Sequence, residues 1–277
     1  VGDVQGCADE LEEILCRARA RFGTGYELWA VGDLVNRGPA SLRVLERVRE
    51  LQEQGRARLV LGNHEVGLLE CALGLRSPGP HDTASEILRR PDAGQWIDWI
   101  LGWPLVETGQ LGERPFAMVH AAVHPDWDLA TLVCRAGEAV APLRAGREPA
   151  QRHLGAQAAP DAPADVLRRL VSCRSVCRDG SWSAQPPERL EGARPWHAAF
   201  AATRPAFGVV YGHWALQGLH VAQGLRGLDT GCVHHGRSGD RFLTAWLPDE
   251  SRSDPFSLPD SGFWQVRAQR RYWPESP

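Results

Sequence analysis

Short apolar runs alternate with amphipathic stretches along the first part of the chain. Val1-Gly2-Asp3-Val4-Gln5-Gly6 reads as the end of a strand, with Asp3 and Gln5 two apart and so on one side of an extended segment. Asp9 and Glu10 then open a helix with Leu11, Ile14, Leu15 and Ala18 on one face, and Gly23 stops it. Glu27 to Val31 is the next strand and delivers Asp33 to its C-terminal end. A helix started by Pro39 turns Leu42, Leu45, Val48 and Leu51 inward and ends near Gly55. Ala57 to Leu61 is a third strand, running out into Gly62-Asn63-His64-Glu65, and Val66, Leu69 and Leu73 continue as a helix.

Strand, helix, strand, helix, strand predicts neighbouring parallel strands joined by right-handed crossovers. Such a sheet collects the residues at its strand ends along one edge, where ligands bind in open α/β sheets. Asp3, Gln5, Asp33, Asn63 and His64 are therefore expected to converge, although each alone reads equally well as a turn or cap residue. Further on, His81 to Val106 reads as a helical excursion with Ile87, Leu88, Trp96, Trp99 and Ile100 as apolar positions, its tryptophans expected in the core. Phe116 to Val119 and Phe207 to Tyr211 are strands that again end in histidines, His120 and His213. Residues 130–200, rich in Ala, Arg and Pro, carry a helix around Val166 to Cys173 and are read as an insertion over the site, within one domain spanning 1–277. Gly227 to Cys232 reads as a turn, and Phe242 to Leu247 and Phe263 to Val266 as closing antiparallel strands.

Composition narrows the function classes. With 43% hydrophobic and 23% charged residues the chain has the make-up of a soluble globular protein. It contains no apolar run of about 18 residues that could span a membrane. A net charge of -3 argues against a nucleic-acid coat, so no stable nucleic-acid complex is expected. All 31 basic residues are Arg, which supplies planar forks suited to phosphate. The 7 cysteines show no C-x-x-C pair; they read as free thiols in a reducing, cytoplasmic setting, and the Cys173/Cys177 spacing as coincidence. Because the chain opens at Val1 already inside a strand, residues upstream of it are expected.

The segments VGDVQGC, GDLVNRGP, GNHE, VHAA and YGHWA, in that order, resemble the calcineurin-like metallophosphoesterases. YGHWA, GLDTGCV and WIDWILGWPLVE make the likeness closest to the branch of bacterial symmetrical diadenosine tetraphosphate hydrolases. The resemblance runs from Val1 to about Leu247 and is poor over the insertion. It implies an α/β fold, a central two-sheet β-sandwich flanked by helices, with helical insertions over a metal edge. It also implies two divalent ions: Asp3 and Gln5 on the first, Asp33 bridging, and Asn63, His120 and His213 on the second. Ions about 3.5–4 Å apart activate water and neutralise phosphoryl oxygens during in-line attack. The mixed oxygen and imidazole set points to Mn²⁺ or Co²⁺, with Fe, Mg²⁺ or Ni²⁺ as alternatives. His64 is implied as the general acid and Arg37 as a bidentate phosphate clamp, with Arg174 ahead of Arg178 as a second arginine. The implied substrate is a dinucleoside polyphosphate, diadenosine tetraphosphate being cut to two ADP, and nucleoside-capped RNA 5′ ends form a related class.

Two departures from the family pattern bear on function. Gln5 stands where His is commoner, which predicts a looser first metal site. Asn36 stands where protein phosphatases carry an Asp that orients the catalytic histidine, which argues against a Ser/Thr or tyrosine protein phosphatase, the second reading. A third reading, a weakened nucleotide-binding sensor, rests on Gln5. His124, His234 and His235 read as exposed loop histidines, a place near the pocket through the GLDTGC turn being the lesser alternative for His234. Trp127 and Trp214 could stack an adenine or simply pack. The Arg89-Arg90 and Arg168-Arg169 pairs read as solvated helix faces.

Overall fold

The computed structural model describes residues 1–234, 239 and 241–272, so His235 lies outside the described residues. α1 (Ala8–Phe22) buries Leu11, Ile14, Leu15 and Ala18 and ends at Gly23 in a left-handed turn. β1 (Leu28–Ala30) and β2 (Ala57–Leu59) pair in parallel across α2 (Ser41–Glu53), whose inner face is Val44, Leu45, Val48 and Leu51. α3 (Asn63–Ala72) then leads directly away from the edge. The excursion after it is α4 (Ser85–Leu88) and α5 (Ala93–Leu101), shorter than expected, because Val106 already begins β3 (Val106–Leu111). Its tryptophans are packing residues: Trp99 meets Trp96 and Trp103 edge-on, at 5.7 and 4.9 Å between centroids.

β4 (Arg114–Val119) is followed by the insertion, which holds far more structure than the single helix expected. It comprises α6 (Leu129–Arg144), α7 (Arg147–Gly155), α8 (Pro163–Ser172), a small sheet of β5 (Ser175–Val176), β6 (Trp182–Ser183) and β7 (Arg194–Pro195), and α9 (Trp196–Ala202). The chain closes with β8 (Gly208–Tyr211), β9 (His220–Ala222), β10 (Leu225–Gly227), β11 (Phe242–Trp246) and β12 (Phe263–Arg267). Gly227, expected in a turn, is the last residue of β10.

Two layers of strand face each other. One sheet runs β3-β4-β8-β10-β9, with β4, β8 and β10 parallel and the two edge strands antiparallel. In the other layer the Val1–Val4 segment lies between β1 and the antiparallel β11-β12 pair. Val31 donates to Val1 O at 3.1 Å and Gly2 donates to Thr244 O at 2.9 Å, so the segment joins them without forming a regular strand. Alternation along β4 sends Phe116 and Met118 between the layers, where they meet Val31, Val60, Val210 and Leu228, and sends Ala117 and Val119 into the core under the helices. Val31, His120 and His213 follow β1, β4 and β8 at the same edge, and α8 ends above it with Ser172.

Candidate metal centre

The groups at this edge are placed by strained turns. Gln5, Asp33 and His213 have φ of 45°, 50° and 68°, left-handed values that cost a non-glycine residue about 1 kcal/mol or more. Glu65, fully buried, over-determines the turn at Asp33. Its carboxylate accepts the N–H groups of Asp33 (2.8 Å), Leu34 (2.8 Å), Val35 (3.2 Å) and Gly62 (2.9 Å). Asp33 Oδ1 in turn accepts the His64 N–H at 2.8 Å, and Gln5 Nε2 donates to Asp33 Oδ2 at 3.3 Å. Asp3 accepts the His213 N–H at 3.1 Å. A Cβ on Gly212 would overlap the Asp3 carboxylate, and one on Gly62 would overlap Asp33, so both glycines are required by close approach.

The two imidazoles state what the site is built for. His120 Nδ1 faces Val31 O at 2.8 Å and must carry the proton there, which leaves the Nε2 lone pair aimed at Asn63 Oδ1 (3.0 Å) and Asp33 Oδ1 (3.4 Å). His213 Nε2 faces Ser172 O at 3.1 Å, leaving its Nδ1 lone pair on the same Asn63 oxygen at 2.8 Å. Burial lowers the pKa of His120, and burial with the nearby Arg174 charge drives His213 well below the imidazole range, so neither ring supplies a second proton. Lone pairs that face one another without a proton between them ask for a cation. Metal-binding histidines commonly donate their other N–H to a backbone carbonyl, as both do here.

The carboxylates make the same demand. Oxygens of Asp3 and Asp33 and a nitrogen of His120 lie within 4.8 Å of one another, all buried. Burial, then the charges of Asp229 and Asp33, push Asp3 well above the ordinary carboxylate range. Burial also opposes the charge on Asp33, yet the His64 N–H and the Arg37 charge favour it, and its pKa lies below the ordinary value. The only other such cluster among the described residues is Cys7, Glu10 and Cys232, where Glu10 is already engaged by Tyr272 Oη and the Gln269 N–H.

All the residues expected at the edge are brought together there. His64 Nε2 lies 3.8 Å from Asp33 Oδ2, and Arg37 Nη1 lies 3.1 Å from His234 Nε2, so His234 stands beside the site and not in the exposed loop that the sequence predicts. Arg174 reaches in from the insertion, bonding Ala184 O and His213 O, with its charge felt by Asp229, Asp3 and Asp33. Arg178 instead lies exposed along the Gly192 turn. His124 is not a free loop histidine: it is half-buried and stacked on Trp127 at 5.0 Å. Arg169, expected in solvent, is 5% exposed and lies over the Trp127 ring.

Two residues of the site escaped the sequence reading. Asp229 is buried beside Asp3 and is bonded to it, raised to about 6 by burial even though the Gly231 N–H favours its charge. It follows β10 as Asp33 follows β1, but Arg226 and Gly227 break the apolar run that would have marked a strand end. Glu65 binds only backbone, which leaves no periodic signal.

Comparison with known proteins agrees with this geometry. Residues 1–134 match the family model described as calcineurin-like phosphoesterase. A relative from Bordetella pertussis, named bis(5′-nucleosyl)-tetraphosphatase, symmetrical, is 37% identical over 85% of this chain and 88% of its own length. One of the same name from Vibrio cholerae is 37% identical over 85% of this chain and 91% of its own. A crystal structure assigned as a diadenosine tetraphosphatase superposes with a TM-score of 0.56, at 25% identity, over 87% of this chain and 85% of that one. A metal-demanding strand edge, the ordered motifs along it and relatives matched over most of their length lead to one conclusion: the chain belongs to the calcineurin-like phosphoesterases, in the group of the symmetrical bis(5′-nucleosyl)-tetraphosphatases.

Proposed function

We propose that the chain hydrolyses dinucleoside polyphosphates, cutting diadenosine tetraphosphate at its central anhydride to give two ADP. The supporting observation is the convergence of the His120 and His213 lone pairs, the Asn63 oxygen and the Asp3 and Asp33 carboxylates on one buried point. The residues present fit two divalent cations, Asp3 and Gln5 with Asp33 on the first and Asp33, Asn63, His120 and His213 on the second. Mn²⁺ and Co²⁺ suit this mixed donor set best. When bound, such a pair supplies Lewis acidity and lets water act as a nucleophile at neutral pH.

The rest of the chemistry falls to the side chains around them. Arg37 and Arg174 bind the phosphate oxygens and set the scissile phosphorus in line. His64 gives a proton to the leaving phosphate oxygen. Burial holds His64 below its ordinary pKa, with Asp33 pulling the other way, and an incoming polyphosphate adds negative charge that raises it toward the donor form. Capped RNA 5′ ends carry the same kind of anhydride and form a second substrate class; the cytoplasm, where such nucleotides occur, is the proposed location. Asn36 counts against a protein phosphatase, because its amide is engaged by Asp82 and Thr83 rather than by His64.

The test is chromatography of the products formed by Mn²⁺- or Co²⁺-loaded protein. ADP alone is expected. ATP with AMP, or faster release of phosphate from a phosphopeptide than cleavage of the dinucleotide, would overturn the reading.

A further inference from the structure

Asn36 and Arg37 are consecutive left-handed residues, with φ of 75° and 63°, and such a pair does not persist without support. The support comes from a segment far along the chain. The buried Asn36 side chain donates from Nδ2 to Asp82 Oδ1 at 2.8 Å, while its Oδ1 accepts the N–H groups of Thr83 (2.7 Å) and Arg37 (2.8 Å). Thr83 Oγ1 donates to Gly38 O at 3.2 Å, and Glu86 Oε2 accepts the Ser41 N–H at 2.9 Å. Asp82 is itself anchored, accepting Arg76 Nη1 at 2.8 Å and the Gly79 N–H at 2.9 Å. Burial opposes its charge, yet the bonds from Asn36, Arg76 and Gly79 bring it down to about 2, so it stays a carboxylate. Its charge also acts on the Arg37 guanidinium.

We propose that Asn36 is a positioning residue for Arg37, latching the 36–41 turn to the 82–86 segment and so fixing where the guanidinium meets the substrate's polyphosphate. The inference rests on the reading of Arg37 as the phosphate clamp. A carboxamide is the group the contact needs, because it donates to one carboxylate while accepting two amides. A carboxylate at this position would face Asp82 across a 2.8 Å gap with no proton to share.

Four variants test it, through KM and kcat for diadenosine tetraphosphate together with calorimetric binding of ADP. Arg37→Ala provides the reference loss. Asn36→Asp is expected to raise KM and weaken ADP binding about tenfold, with a smaller fall in kcat, as misplacement of a binding group does. Asp82→Asn alone removes the anchor's charge and is expected to weaken ADP binding less than Asn36→Asp does. The double variant Asn36→Asp/Asp82→Asn exchanges donor and acceptor across the same contact and is expected to recover most of the loss. An Asn36→Asp protein with wild-type KM and ADP affinity, or a double variant no better than Asn36→Asp, overturns the latch. If Arg37→Ala itself leaves KM and ADP affinity unchanged, the clamp reading fails, and the latch with it.

Discussion

Asp33 is committed through backbone and side chain alike. Its N–H is held by Glu65, one oxygen by the His64 amide, and both oxygens face imidazoles or the Gln5 amide. A bridging carboxylate serves both ions, so Asp33→Ala should lose both together, where loss of a ligand to one ion would remove half. Metal analysis of dialysed protein checks this; a variant that keeps half the wild-type content would contradict the bridge. At this scale the sequence was informative wherever a polar residue ended an apolar run, as Asp33, Asn63, His120 and His213 do. Asp229 stands at a strand end too, but Arg226 and Gly227 break the apolar run before it, and Thr230 and Gly231 beside it read as a turn. Glu65 and Asn36 act through backbone amides and a distant loop, and no local pattern encodes such partners.

Elements position the site through close approach rather than through long regular strands. β8 runs out into Gly212, where the chain lies against Asp3 and the Val31 side chain from the other layer, and the Gly212 N–H closes onto His120 O at 2.8 Å. Gly212→Ala would push a methyl into the Asp3 carboxylate. A destabilisation of about 1–3 kcal/mol is expected from the overpacking, together with weaker metal retention; calorimetric unfolding with and without Mn²⁺ measures both. An unchanged stability would mean that the two layers can move apart at this edge. α1 and α2 were readable because their apolar residues recur at three- and four-residue spacings on otherwise charged helices. α6 and α7 were not. In α6 alanine lies on both faces, buried at Ala136 and Ala139 and exposed at Ala130 and Ala141, and a residue equally at home in core and solvent gives no period, while α7 buries only Ala150 and Leu154, too few to show one. β9 and β10 were missed because His220, Gln223, Gly224, Arg226 and Gly227 leave no apolar run to mark them.

Across the molecule, polar networks away from the metal edge set the response to acid. His197 on α9 accepts from Gln217 Nε2 at 2.8 Å, and Tyr211 Oη contacts both Gln217 Oε1 and His220 Nδ1. That pattern needs His197 neutral; burial and the adjacent His220 ring bring its pKa down to about 4. The unfolded chain takes up a proton near 6.5 while the folded one does not, so the folded state should lose stability as pH falls from 6.5 toward 4. Urea midpoints of metal-saturated protein at pH 7 and pH 5 should therefore differ more for wild type than for His197→Gln. Equal differences would assign the acid sensitivity to other groups.

The Asp3–His213 bond spans 210 positions of sequence, and Asp33 and Asn63 lie between its ends. Ions at the proposed site would thus be held by a clasp closed from both halves of the chain, with no single loop supplying all their ligands. A chain still leaving the ribosome would own the carboxylates long before the last imidazole, so it could not complete the proposed site until His213 had emerged. In the folded protein the same wiring would couple retention of the ions to the packing of segments far apart in sequence.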